Sequence, residues 1–466
     1  MLVRLGPQTQ TVLRSGPGPL TMPETTGDQA VDAALAGMAR DNPDAADAAR
    51  AGFGSLTWGE GLDAVTAHSL ADFLWYQLPL KWISDLDEKL HVAAALGELF
   101  TRLDRPRYAA MCAAPATAQV LAAYEHAGQV AGLKAYRSAL AATGVQPPDI
   151  PGVIEWGSVM GADEAGAYWA AADALEQAIE AGRLRPGAPG WRKTAEQVTV
   201  GFLDSPHDEV TGTTWLQWTH AERLQRWATS RGATRARLAD RLVDQLTNPQ
   251  PIPANAELHL APVQWLLDHA AAGAQLTQTG NLARAIVAEG CHRFDWLTLT
   301  GNPRSESDIV ELWTLRELAQ QMRVIRRSGR RLLLSSTGKT VHAAGTNGLW
   351  QATMACLTGP GEAEAAAAEV ALILLLTDGP LDYRALNTAV AQALAHEGWH
   401  AQHTAEPIGP DQAGTLLGDL RRRIDLLNLA DGERFIGPTR LNDAGHNAAH
   451  VALRSRALRP RTSHHA

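Results

Sequence analysis

Between Asp28 and about Gly144, apolar residues recur at three- and four-residue intervals, the spacing of one buried helix face. Asp85 is placed to cap a helix running through Leu90, Val92, Leu96, Leu99 and Leu103, because a short carboxylate can accept from the first unpaired backbone N–H groups. Pro115 suits the first position of the next helix, through Val120 and Leu121, where its missing N–H costs nothing. Upstream, Phe73 to Trp82 packs four aromatics into ten residues. Three prolines break the pattern at Gly144–Gly152. It resumes from about Ala162 to Ala181 and breaks again at Arg185–Gly190. Thr194–Leu203 contains the β-branched Val198, Thr199 and Val200, but its length and surroundings favour a helix. Further helices are predicted near Trp215–Thr229 and Ala233–Leu246, before prolines 249, 251 and 253. Residues 1–27 lack periodicity and read as a flexible tail.

From Glu257 the pattern changes and then repeats. A helix with Leu258, Leu260, Val263, Leu266 and Leu267 is followed by the polar turn Thr277–Asn281, then by a helix through Leu282, Ile286 and Val287. After Asn302-Pro303, Ser305 or Ser307 can cap a third helix through Ile309, Leu312, Leu315, Leu318 and Met322. Val324–Arg327 and Arg330–Leu334 flank Ser328-Gly329, a hairpin signal, and Ser335 caps a short closing helix. Three helices and then a hairpin is the order of a winged helix, a helix-turn-helix variant. The order recurs about a hundred residues later. There, helices through Leu372–Leu376 and Tyr383–Leu394 precede Leu416–Leu427, the turn Asp431–Glu433 and a short strand Arg434–Ile436. Leu315-Arg316 aligns with Leu420-Arg421, and Leu334-Ser335-x-x-Gly338 with Leu441-Asn442-x-x-Gly445. The expected fold is mainly α: a multi-helical body with two tandem winged-helix-like units bearing short β-hairpins. Its divisions are a tail (1–27), an N-terminal helical domain (28–147), a central helical region (153–247) and the two units (257–345 and 346–461).

Composition agrees with a helical globular chain. Hydrophobic residues make up 45% of 466 and charged residues 20%, with Ala and Leu prominent. The net charge of -9 means that any nucleic-acid contact must come from a local basic face. The three cysteines are far apart, without a CxxC pair, and point to free thiols in a reducing cytoplasm. No signal peptide is read at the start, and the apolar run Val370–Leu376 is too short to span a bilayer, so no membrane association is expected. The fourteen tryptophans are scattered, as core anchors would be.

The segments LTQTGNLARAIVAEG and RSESDIVELWTLRELAQQMRVIRRSGRRLLLSSTGK, with FLWYQLPLKW upstream, resemble an uncharacterised family common in high-GC bacteria, over most of the chain after about residue 55. The resemblance implies a multi-helical body with winged-helix ends and supplies no activity. The hairpin is also similar to those of general bacterial regulators, which are followed by Leu-Thr-x-x-Gly; Ser335 and Asn442 replace that Thr here.

Basic residues gather on the two units. The first has Arg316, Arg323, Arg326, Arg327, Arg330, Arg331 and Lys339; the second has Arg421, Arg422, Arg423, Arg434 and Arg440. In a winged helix the third helix enters the major groove and the wing meets phosphate, tasks that suit the planar guanidinium fork. The preferred expectation is a non-enzymatic, cytoplasmic, DNA-associated or regulatory protein whose partner is double-stranded DNA. The alternative is a protein-interaction scaffold, with Trp75, Tyr76 and Trp82 on a partner surface and these arginines a solvated face.

Motifs for chemistry are weaker. His396-Glu397-Gly398-Trp399-His400 matches H-E-x-x-H, which would make the chain a zinc hydrolase, but Gly398 marks a helix end and no third ligand follows. Thr337-Gly338-Lys339-Thr340 ends like a phosphate loop, yet Leu333 stands where its first Gly is required. Adjacent Cys291 and His292 point apart. No catalytic residue, metal or cofactor is predicted.

Overall fold

Asp28, Asn42 and Asp85 each open a helix, accepting from the backbone N–H groups of Ala30 and Val31, of Ala45, and of Glu88. The computed structural model describes residues 3–4, 26, 28–229, 232–296, 305–401, 406–432 and 437–462. The expected tail therefore lies outside the described residues, except for Thr26 and for Val3–Arg4, which pairs antiparallel with Trp399–His400. Helices Gln29–Asp41, Pro43–Thr57 and Leu86–Arg102 bury Leu35, Met38, Phe53, Leu96 and Phe100 in one core. Pro115 opens Pro115–Thr143 as predicted. The ambiguous β-branched stretch is helical, within Trp191–Leu203.

The aromatic line divides. Trp75 is buried and its indole N–H donates to Thr117 Oγ1 at 2.9 Å, so it belongs to the core and not to the partner surface expected of it. Tyr76 is partly exposed, and Trp82 packs edge-on to Phe73. Trp350, Trp265 and Trp227 are core anchors, whereas Trp58, Trp169 and Trp313 are exposed.

Two compact units divide the chain, one made of Met1–Thr9 and His220–Arg459, the other of Gln10–Thr219 and Pro460–Ala466. The predicted central region 153–247 is thus split. Trp218 stacks on His207 and Trp215 meets it edge-on in one unit, while Leu224, Trp227, Leu242 and Leu246 join the core of the other. That second core is continuous across both repeated segments, so 257–345 and 346–461 share it.

Within the unit that contains His220–Arg459, the first repeat runs α1 (Ala256–Ala271), β1 (Ala274–Gln275), α2 (Arg284–Phe294), α3 (Val310–Gln321), β2 (Ile325–Ser328) and β3 (Arg331–Leu334). The sheet order is β1-β3-β2, all antiparallel, with Ala274 opposite Leu332 and Ile325 opposite Leu334. Ser305 caps a short 3-10 turn that precedes α3. Helices α4 (Ser336–Ala343) and α5 (Gly345–Met354) follow.

The second repeat runs α6 (Glu362–Thr377), an isolated bridge at Leu381, α7 (Tyr383–His396), α8 (Pro410–Leu416), α9 (Gly418–Leu426), β4 (Ala430–Asp431), β5 (Arg440–Leu441) and α10 (Asp443–Ala457). Leu381 pairs with Thr439 just before β5, and β5 pairs with β4, so the strand order is the same. The predicted helix Leu416–Leu427 is broken at Leu417, and Asp431, expected in a turn, is in a strand. The strand predicted at Arg434–Ile436 lies outside the described residues.

The repeats agree at the level of atoms. Arg323 and Asn428 each end the third helical segment in the left-handed region, at φ +56° and +50°. Ser335 N donates to Val324 O at 2.9 Å, and Asn442 N to Leu429 O at 3.1 Å. The side chains of Ser335 and Asn442 then accept from Gly338 N and Gly445 N, each at 2.9 Å. A Cβ on Gly338 would lie 1.9 Å from Val324 O, and one on Gly445 1.9 Å from Leu429 O. Only glycine fits where the closing helix meets that carbonyl. Val370–Leu375 is a buried part of α6 and Leu376 is half-buried, and among the described residues no helix is long and apolar enough to cross a membrane.

Candidate nucleic-acid interface

The β2–β3 hairpin is fixed by its apolar residues. Ile325 and Leu334 face each other and are both buried, so a one-residue slip would turn the apolar set outward. Alternation from that pair puts Arg326 and Arg331 on the opposite, outer face, while Arg330 sits in the turn. Arg327, on the inner side beyond the core, donates from Nε to Gly329 O at 3.0 Å. All four are exposed, as are Arg323 before the hairpin and Lys339 on α4. None of the six forms an ion pair among the described residues. The chain contains no Asp or Glu between Glu317 and Glu362, so this surface has no acid of its own segment to neutralise it.

The other predicted arginines are placed differently. Arg316 is held inside the first repeat by Glu306 at 2.6 Å and Gly280 O at 2.9 Å. Arg421 lies 4.2 Å from the Tyr383 ring centroid and donates to Asn387 Oδ1 at 2.6 Å. Burial lowers its pKa, opposed by the Tyr383 hydroxyl. Arg422 pairs with Asp419 and covers the Trp313 ring. Arg423 is buried, donates to Cys356 O, and has its pKa lowered by burial. Arg421, Arg422 and Arg423 therefore do not join the hairpin surface. The physical reason is that α9 packs against α3, and every residue from Gly418 to Leu427 is buried or half-buried. Arg440 is exposed on β5 opposite Asp431, and Arg434 lies outside the described residues.

The H-E-x-x-H segment does not adopt the geometry that zinc needs. Helix α7 ends at His396 and Gly398 takes φ +79°, so His396 and His400 are not on successive turns of one helix. Glu397 is buried, paired with Arg235 at 3.3 Å and accepting from Trp399 Nε1 at 3.3 Å. Among the described residues no group of three or more His, Cys, Asp or Glu side chains could hold a metal ion. Thr337–Thr340 lies within helix α4, with Gly338 in its first turn against Val324 O, so the segment does not form the loop that wraps a phosphate. The cysteines are unpaired, and burial raises the Cys291 thiol pKa.

These observations single out the first repeat, and a family match falls on it. Residues 258–347 match the model of the Y4jL N-terminal domain. The Y4jL-like segment runs from the first turn of α1 into the start of α5, and so contains all three helices, the hairpin and Lys339. Neither a curated protein nor a solved structure matches the chain.

A buried charge cluster outside the Y4jL-like segment went unread in the sequence. Arg235 is 1% exposed and pairs with both Glu369 and Glu397, while Arg456 Nε reaches Glu369 at 3.2 Å and Trp227 Nε1 donates to Glu369. The one sequence signal was a lone Glu369 in the otherwise apolar run of α6.

Proposed function

We propose that this chain is a non-enzymatic, cytoplasmic, DNA-associated protein in which 257–345 forms a winged helix whose hairpin meets the phosphates of duplex DNA. The observation behind this reading is the cluster of exposed, unpaired cations at Arg323, Arg326, Arg327, Arg330, Arg331 and Lys339 on a chain of net charge -9. Guanidinium groups without a carboxylate partner are open to phosphate, which they bind bidentately. The order of helices and strands supports it too: the hairpin β2–β3 follows the third helix, where a wing would stand, and β1, from between α1 and α2, pairs with β3.

Retention of radiolabelled duplex at low salt tests the proposal. Wild type is expected to retain it, and simultaneous Arg→Glu substitution at 326, 327, 330 and 331 to abolish retention without altering the helical circular dichroism. Absence of retention by wild type at low salt would end the reading.

A second reading, a protein-binding scaffold, is favoured by the exposed Tyr76, Leu80 and Ile83 following the buried aromatics. It predicts co-purification of a specific protein that survives nuclease treatment.

A further inference from the structure

Resting on the reading above, we infer that the hairpin holds duplex DNA by phosphate contacts alone, without a base-reading helix and therefore without sequence preference. In a winged helix the third helix supplies the base contacts. Here that helix, α3, lies against its own counterpart from the second repeat, α9.

The blocked face can be followed residue by residue. Trp313, Glu317 and Gln320 form the side of α3 away from the buried Leu312, Leu315 and Leu318. Arg422 of α9 covers the Trp313 ring, its guanidinium carbon 5.1 Å from the centroid. Glu317 is half-buried, and its carboxyl is pushed up by burial and by Asp419 of α9, while Arg423 and Arg422 oppose the shift. Arg316, the one base-reading cation type on α3, is held by Glu306 and Gly280 O. What α3 leaves exposed is Val310, Trp313 and Gln320, of which only the Gln320 amide could form the paired hydrogen bonds that distinguish bases. Helix α9 is itself covered along its whole length, so the second repeat cannot supply the missing reader. The exposed cations Arg323, Arg326, Arg327, Arg330, Arg331 and Lys339 lie on the hairpin and its flanks, and phosphate contacts fix position without reporting sequence.

Selection from a pool of duplexes with a random core, followed by affinity measurements on individual members, tests this in the full chain. The expected result is no enriched motif and affinities within about tenfold of one another, against about a thousandfold or more for a base-reading protein. Gln320→Ala and Trp313→Ala, both at exposed positions, should each change affinity by less than about twofold, since neither would touch a base. An enriched motif, or a tenfold loss in either variant, overturns the inference and leaves DNA binding intact. No retention of any duplex, or retention unaffected by charge reversal at Arg326, Arg327, Arg330 and Arg331, overturns both this inference and the function it rests on.

Discussion

The guanidinium of Arg422 lies over the indole of Trp313, its central carbon 5.1 Å from the ring centroid. This contact joins the third helix of one repeat to that of the other, and Asp419 holds the arginine in place. Arg422→Ala should lower stability by about 1 kcal/mol, the worth of a cation–π contact at a half-exposed site. Arg422→Lys should cost less. Chemical denaturation measures both, and a neutral Arg422→Ala would mean that the ring and the guanidinium are neighbours without coupling.

Gly338 and Gly445 occupy the same place in the two repeats. Ala at either position forces a Cβ to within 1.9 Å of a carbonyl oxygen, so the closing helix must shift. Each substitution should cost at least about 2 kcal/mol, as overpacking does. Gly201, inside a helix with open space where a Cβ would go, is the contrasting case: Gly201→Ala should be neutral or stabilising by up to about 1 kcal/mol. Equal effects at all three sites would contradict the repeat-specific close approach.

Arg235 is the cation shared by two buried carboxylates, Glu369 and Glu397. Arg235→Ala leaves both without it and should destabilise the fold by about 3–5 kcal/mol. Thermal and denaturant melts of the variant provide the check. A loss under about 1 kcal/mol would show that these carboxylates are satisfied by other partners.

His450 gives the stability a pH dependence. Its Nε2 faces Gln245 O at 2.6 Å and must carry the proton, so further protonation falls on Nδ1, which is buried without a partner. Burial lowers the pKa, Arg454 lowers it further, and the Gln245 carbonyl opposes them. A depressed histidine contributes its stability above the unfolded value of about 6.5 and loses it as pH falls from there towards the folded pKa. Wild type should therefore become easier to denature between about pH 7 and pH 5, and His450→Gln should flatten part of that slope. Parallel pH profiles for the two proteins would contradict the assignment.

Much of the fold was legible because local rules and tertiary packing agree. Asp85 and Ser335 act as the caps their positions imply, Pro115 opens its helix, and the pairing of Leu334-Ser335-x-x-Gly338 with Leu441-Asn442-x-x-Gly445 reappears as matching hydrogen bonds. What was not legible depends on which surfaces meet. The arginines at 421–423 look like a basic helix face in sequence, yet Leu416, Leu417, Leu420, Ile424, Leu426 and Leu427 around them leave α9 no solvent side. Apolar residues on both sides of that helix were the available sign of burial. Likewise Glu397, read as part of a metal motif, has its partner Arg235 on a helix 162 residues away, which spacing alone could not reveal.

The salt dependence of duplex binding tests the hairpin's role most directly. Each phosphate neutralised contributes about -0.9 to the slope of log affinity against log salt. Four to six hairpin contacts therefore predict a slope of about -4 to -5 for wild type. Neutralising Arg326, Arg327, Arg330 and Arg331 to Ser should bring it to about -2 or flatter. A steep slope that survives those four substitutions would place the phosphate contacts elsewhere and contradict the account.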